Sequence, residues 1–205
     1  MTKRLVYGVG INDADYAVKK SETIGYVNGK QKQKQVWVCP AYQVWKGMLM
    51  RCYSVKLHEK SPTYVGCTVC ETWLLFSNFK AWMEEQDYKG RQLDKDILFM
   101  GNKIYSPETC VFISSVVNSF VIECNTTRGD WPIGVYWHIG TQKFMAYCRN
   151  PLTKKREHLG MFTCPNEAHN AWLTRKLQLA KLLAEEQDDL RVAKALVERY
   201  ENYKH

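Results

Sequence analysis

Residues 92 to 110, QLDKDILFMGNKIYSPETC, gather side chains that could manage a metal ion and a phosphate. Asp94 and Asp96 flank Lys95 at the end of a short strand-like run; Gly101-Asn102 and the turn Ser106-Pro107-Glu108 follow. Carboxylate oxygens are hard donors that suit Mg²⁺ or Mn²⁺ better than Zn²⁺. A divalent ion held there would offset charge on a scissile phosphate and its leaving oxygen. The usual proton acceptor for such chemistry is histidine, and none occurs between His58 and His138. Lysine, with a reference pKa of about 10.4, is a poor base at neutral pH unless strongly depressed.

A second concentration lies between residues 133 and 162. Lys143, Arg149, Lys154, Lys155 and Arg156 stand there against one acid, Glu157. The whole chain of 205 residues has a formal charge of +8, and a basic balance of this size favours an anionic partner, most commonly nucleic acid. A basic enzyme without such a partner is the competing explanation. The seven Trp and twelve Tyr serve either core packing or base stacking, and composition does not separate the two uses.

The spacing CTVC at 67 to 70 suits a metal, with Cys39, Cys52 or Cys110 to complete a set. No second C-x-x-C exists, which argues against zinc, and small buried hydrophobes are the commoner role of unpaired cysteines. No apolar run approaches the ~18 residues of a membrane span, so no membrane partner is expected. The opening MTKRLVYGVG lacks the apolar stretch of a signal peptide, which points to a reducing cytoplasm and to thiols rather than disulfides.

These residues need elements to position them. Residues 1–40 alternate β-rich runs with polar turns, and Asn28-Gly29 signals a hairpin, with a longer basic loop as the alternative. Helical spacing of Trp45, Met48, Leu49 and Cys52, then of Trp73, Phe76, Phe79 and Trp82, predicts two helices with buried aromatic stripes. Strands are predicted over 91–98 and 110–113, with a short helix through Val117 and Asn118. NTTRGDWP reads as a linker. IGVYWHIG, KFMAYCRN and KREHLGMF read as three strands. A helix with Thr163, Pro165 and Glu167 at its mouth follows, then a last helix with Leu190, Ala193, Leu196, Val197 and Tyr200 on one side.

Gly134-Val135, Lys143-Phe144-Met145-Ala146, Leu159-Gly160-Met161-Phe162-Thr163 and Glu167-Ala168-His169-Asn170-Ala171 together resemble the plant-type ethylene-response-factor (APETALA-type) DNA-binding domain. That resemblance implies a sheet entering the major groove. Its contact candidates are Trp137, His138, Lys143, Arg149, Lys154, Arg156 and His158. The preceding stretch resembles phage homing endonucleases of the HNH (ββα-metal) group. The residues that carry it are Trp45-x-x-Met48-x-x-Arg51-Cys52-Tyr53, Trp73-x-x-Phe76-x-x-Phe79, Leu93 to Ile97, Gly101-Asn102-Lys103 and Tyr105 to Cys110, ending at Asn118. This second resemblance implies a metal held by Asp94 or Asp96 with Asn118. Lys95 stands near the histidine position as an electrostatic clamp, and Thr109 stands where the family has its central Asn.

The expected architecture is α+β. A β-rich segment (1–40) precedes a variant HNH-like module (41–125). A three-stranded antiparallel sheet packed on a helix (130–185) and a helical tail (186–205) follow. The tail carries an excess of acids and is expected to fold back or to pair with a second copy as a homodimer. The expected function is metal-dependent hydrolysis of double-stranded DNA with Mg²⁺ or Mn²⁺. The alternative is a catalytically degenerate DNA-binding or regulatory protein, and a third class is an inhibitor of a host protein.

Overall fold

The computed structural model describes residues 5–122 and 130–203, so most of the expected linker lies outside the described residues. The fold is α+β and divides into two compact units, the first ending at Ile113 and the second beginning at Ser114.

In the first unit, β1 (Lys19–Val27) and β2 (Lys30–Val38) pair antiparallel. Asn28 and Gly29 join them with φ of 50° and 73°. Two successive left-handed residues make the turn that matches strand twist, so the hairpin is realised rather than the longer loop. Pro40, which needs no amide partner there, opens α1 (Pro40–Tyr53). As expected from their spacing, Trp45, Met48, Leu49 and Cys52 are buried. A short α2 (Val55–Lys60) leads to β3 (Thr68–Val69).

The single helix expected around residues 71–86 is two pieces, a 3-10 turn over Glu71–Leu74 and α3 (Phe76–Glu84). The break has a long-range cause. Ile11 donates its N–H to the Leu74 carbonyl (2.8 Å) and accepts from Phe76 N–H (3.0 Å), which holds Leu75 extended. Trp73, Phe76 and Phe79 are buried as predicted. Trp82 is half-buried, its ring 4.5 Å from that of Trp73. Trp45 Nε1 donates to the Trp73 carbonyl at 2.7 Å, satisfying a polar group deep in this aromatic core.

β4 (Gln92–Asp94) pairs antiparallel with β6 (Val111–Ile113), and between them β5 (Ile104–Tyr105) pairs parallel with β3. The strand expected over 91–98 stops at Asp94, for a reason given below.

The second unit begins with α4 (Ser115–Val121), whose N-terminus is capped by Ser114 Oγ accepting from Val117 N–H at 3.2 Å. β7 (Val135–His138), β8 (Lys143–Arg149) and β9 (Arg156–Phe162) form one antiparallel sheet in that order. One face packs on α5 (Pro165–Glu185) through Val135, Phe144, Ala146 and Ala168. Gly134 has φ of 81°, and a Cβ there would lie 2.2 Å from the Trp172 ring, so glycine lets α5 sit against the start of β7. Cys164, not Thr163, precedes the first turn of α5, with no side-chain cap.

α6 (Leu190–Glu201) folds back on α5 with Leu196 and Tyr200 buried and Ala193 and Val197 half-buried as their pattern suggested, except that Val192 joins them and Leu190 faces out. Val192, Leu196 and Tyr200 are buried, while Leu190 is 80% exposed. Tyr200 sets this phase: its hydroxyl donates to the Phe120 carbonyl on α4, and its ring lies 5.3 Å from the Phe120 ring. The seven described cysteines are all thiols. Among the described residues no helix is long and apolar enough to cross a membrane.

Candidate functional site

Side chains alternate across a strand, so the sheet register assigns each residue of β7–β9 to a face. Phe144, Ala146 and Cys148 point to α5, which leaves Lys143, Met145, Tyr147 and Arg149 on the outer face. Opposite them on that face stand His138 and Tyr136 from β7, and Met161, His158 and Arg156 from β9. A register shift on β9 between Gly160 and His158 keeps the alternation in step.

Arg149 and Arg156 are direct cross-strand partners. The Arg156 guanidinium lies 4.0 Å from the Tyr147 ring centroid and 4.5 Å from that of Tyr136. His158 extends the aromatic row, 5.1 Å from Tyr147. Stacking orients a guanidinium while leaving its N–H edge available to an incoming anion. Neither arginine is ion-paired among the described residues. Glu157 points to the helix face. Its carboxylate accepts from Arg175 Nε (2.7 Å), Arg175 Nη2 (3.1 Å) and Asn150 Nδ2 (2.8 Å). The Arg175 bonds, with the Asn150 amide, hold its pKa below the usual range. The one acid of this segment is thus neutralised away from the basic face.

The remaining contact candidates divide. His138 Nδ1 accepts from the Thr141 N–H (3.2 Å) and lies 2.9 Å from Thr141 Oγ1, so this histidine caps the β7–β8 turn. Lys154, with φ of 59°, and Lys155 sit in the β8–β9 turn beside Arg156. Trp137 lies by register on the helix side, opposite Phe144, with its ring 4.8 Å from Phe144 and 6.5 Å from Trp131. Tyr136 and Tyr147 are not among the contact candidates that the resemblance implies. The two-residue alternation from Phe144 and Ala146 was the signal that places Tyr147 among the outer-face residues.

The second candidate cluster begins where β4 ends. Asp94 Oδ1 accepts from the N–H of Asp96 (2.9 Å) and of Ile97 (2.7 Å), turning the chain and stopping the strand. Burial and the neighbouring Asp96 carboxylate push the Asp94 pKa above its ordinary value. Lys95 is buried, donating to the Asn102 carbonyl (2.8 Å) and to Asp96 Oδ2 (3.1 Å). It therefore works as an internal strut of the loop. Asn102 ties the same loop: Nδ2 donates to the carbonyls of Lys95 and Ile104, both at 2.7 Å, and Oδ1 accepts from Ile104 N–H. Thr109 Oγ1 donates to the Ile104 carbonyl at 2.7 Å and closes the turn before β6.

The first unit thus brings Asp94 and Asp96 together as oxygen donors of the kind that hold Mg²⁺ or Mn²⁺. Asn118 stands on α4 in the second unit, half-buried, its N–H donating to the Ser114 carbonyl. His58 is engaged elsewhere, its Nε2 2.8 Å from the Arg51 carbonyl. Cys67 is buried in the first core, and Cys70 Sγ lies 3.3 Å from Thr72 Oγ1. Among the described residues no three His, Cys, Asp or Glu side chains form a metal-holding group. No family model, curated protein or solved structure significantly matches the chain.

Proposed function

We propose that this chain binds double-stranded DNA through the outer face of the β7–β9 sheet. Arg149 and Arg156 are the principal contacts, and Lys143 and Lys154 pair with phosphates. The observation that supports this most directly is the cross-strand opposition of Arg149 and Arg156. Like charges directly opposite destabilise a sheet, by about 0.2 to 1 kcal/mol on the scale of such pairs. A polyanion laid on that face converts the repulsion into attraction. The placement of Glu157 on the other face supports the same reading, as does the resemblance to ethylene-response-factor domains. The test is the salt dependence of duplex binding by the full chain and by K143A/R149A/R156A. Each lost phosphate contact lowers the slope of log K against log salt by about 0.9. An unchanged slope and affinity in the triple variant would overturn the proposal.

A second reading, metal-dependent strand cleavage of the HNH-like type, is favoured by the carboxylates of Asp94 and Asp96. Their mutual repulsion and partial burial are what a divalent cation relieves. Mg²⁺ or Mn²⁺ held by these two carboxylates would supply charge stabilisation at a phosphate. Lys95 then positions Asp96 rather than contacting DNA. Nicking of supercoiled plasmid in Mg²⁺ or Mn²⁺, abolished by EDTA and by Asp96→Asn, would support this reading. Tight binding without nicking in either metal would leave the DNA-binding protein alone.

A further inference from the structure

The hairpin β1–β2 takes no part in either reading, yet its construction calls for a partner. Both strands run for nine residues, and every residue in them except Gly25 and Val38 is exposed. Tyr26 is 69% exposed at the tip. A lone two-stranded hairpin is marginally stable in water, so a long exposed one gains from docking. Its root is anchored, with Cys39 N–H donating to the Val18 carbonyl and the Lys19 ammonium over the Tyr42 ring at 5.4 Å.

The sequence Lys30-Gln31-Lys32-Gln33-Lys34-Gln35 alternates strictly along β2. Lys30, Lys32 and Lys34 therefore share one face, and Gln31, Gln33 and Gln35 the other. Across the ribbon the lysines oppose Val27, Gly25 and Glu22, whereas the glutamines oppose Tyr26, Thr23 and Ser21. One face is thus a row of ammonium groups at intervals of about 6.8 Å, tempered by a single carboxylate. The other is uncharged from Gln31 to Gln35 and their partners, with a β1 lysine following at the root. Ammonium groups on flexible stems suit phosphates without reading bases, and a two-stranded ribbon is of a size that the major groove admits.

We infer that β1–β2 is a second DNA-contacting arm, whose lysine face, Lys30, Lys32 and Lys34, docks on the phosphate backbone of duplex DNA independently of sequence. The choice of DNA as the polyanion rests on the function proposed above; the face and its residues do not.

The test measures duplex affinity against salt for the full chain and three variants: K30A/K32A/K34A, Q31A/Q33A/Q35A and K143A/R149A/R156A. The lysine variant should lose about 2.7 from the salt slope, three contacts at about 0.9 each. The glutamine variant should match the wild type, and K30R/K32R/K34R should keep the slope. All substituted hairpin side chains are exposed, so thermal unfolding of these variants should be unchanged. A lysine variant with wild-type slope and affinity overturns this inference and leaves the sheet reading standing. Loss in the lysine variant with none in the sheet variant does the reverse. No duplex binding by the wild type overturns both. Tighter binding to phosphatidylserine vesicles or to single strands than to duplex overturns duplex DNA as the occupant.

Discussion

The guanidinium of Arg156 lies over two tyrosine rings set edge to face, 4.0 Å from the Tyr147 centroid and 4.5 Å from that of Tyr136, directly across the sheet from Arg149. Three strands build this arrangement. β7 contributes Tyr136, β8 contributes Tyr147 and Arg149, and β9 contributes the stacked arginine. Aromatic contact and like-charge opposition on this face are the two features on which the proposed DNA contact rests.

Arg156→Lys keeps the charge and loses the planar stacked fork. Its expected effect is weaker duplex binding at an unchanged salt slope, whereas Arg156→Ala also lowers the slope by about 0.9. Tyr147→Ala leaves all charges in place and removes one stacking partner worth about 0.5 to 1 kcal/mol, so affinity should fall roughly 2- to 5-fold. Fluorescence anisotropy on one duplex at several salt concentrations measures all three.

Asp94 gives a pH dependence with a defined sign. Its folded pKa is raised above the ordinary 3.8 by burial and by Asp96. Its contribution to stability is therefore fully present below the unfolded pKa and lost as pH rises through the folded value. Asp94→Asn retains an oxygen acceptor for the amides of Asp96 and Ile97 without the charge. As pH rises from the ordinary aspartate value of 3.8 through the raised folded value, the wild type should lose stability relative to this variant, read from Tm in the presence of EDTA. Asp94→Ala, which removes the acceptor, should instead destabilise by about 1 kcal/mol.

Asn102 spans the loop with three hydrogen bonds, of which the one to the Lys95 carbonyl is partly shielded from water and the two with Ile104 are exposed. Asn102→Ala should cost about 1 to 3 kcal/mol in chemical denaturation. It should also release the Lys95 end of the loop, seen as faster amide exchange at Asp96 and Ile97, while duplex binding by the β7–β9 sheet persists.

Gly134→Ala places a methyl 2.2 Å from the Trp172 ring on a backbone with φ of 81°. Overpacking and left-handed strain together should destabilise the second unit by about 3 kcal/mol. Denaturation followed by tryptophan fluorescence tests this, with Gly10→Ala as the matching probe of the first unit. A Cβ at Gly10 would lie 2.4 Å from Leu49 Cδ1.

Local signals settled what depends on neighbours in sequence. The Asn28-Gly29 turn follows from left-handed permissiveness, and the lysine and glutamine faces of β2 follow from a period of two. The three strands at 135–162 and the long helix after them follow from alternation giving way to helical spacing, and the basic excess from counting charges. Tertiary structure decided what depends on which surfaces meet. Ile11 breaks the expected helix at Leu75, and docking on Phe120 sets the phase of α6. The outer face is the side of the sheet that α5 does not cover, which puts Trp137, 42% exposed, on the helix side by register and Tyr136 and Tyr147 on the outer face. Lys95, a charged residue beside two acids, looks solvated in sequence; only the folded loop supplies the Asn102 carbonyl that makes its burial affordable. Periodicity assigns a residue to a face, but contacts between elements distant in sequence decide which face is buried and which charges remain to meet a partner.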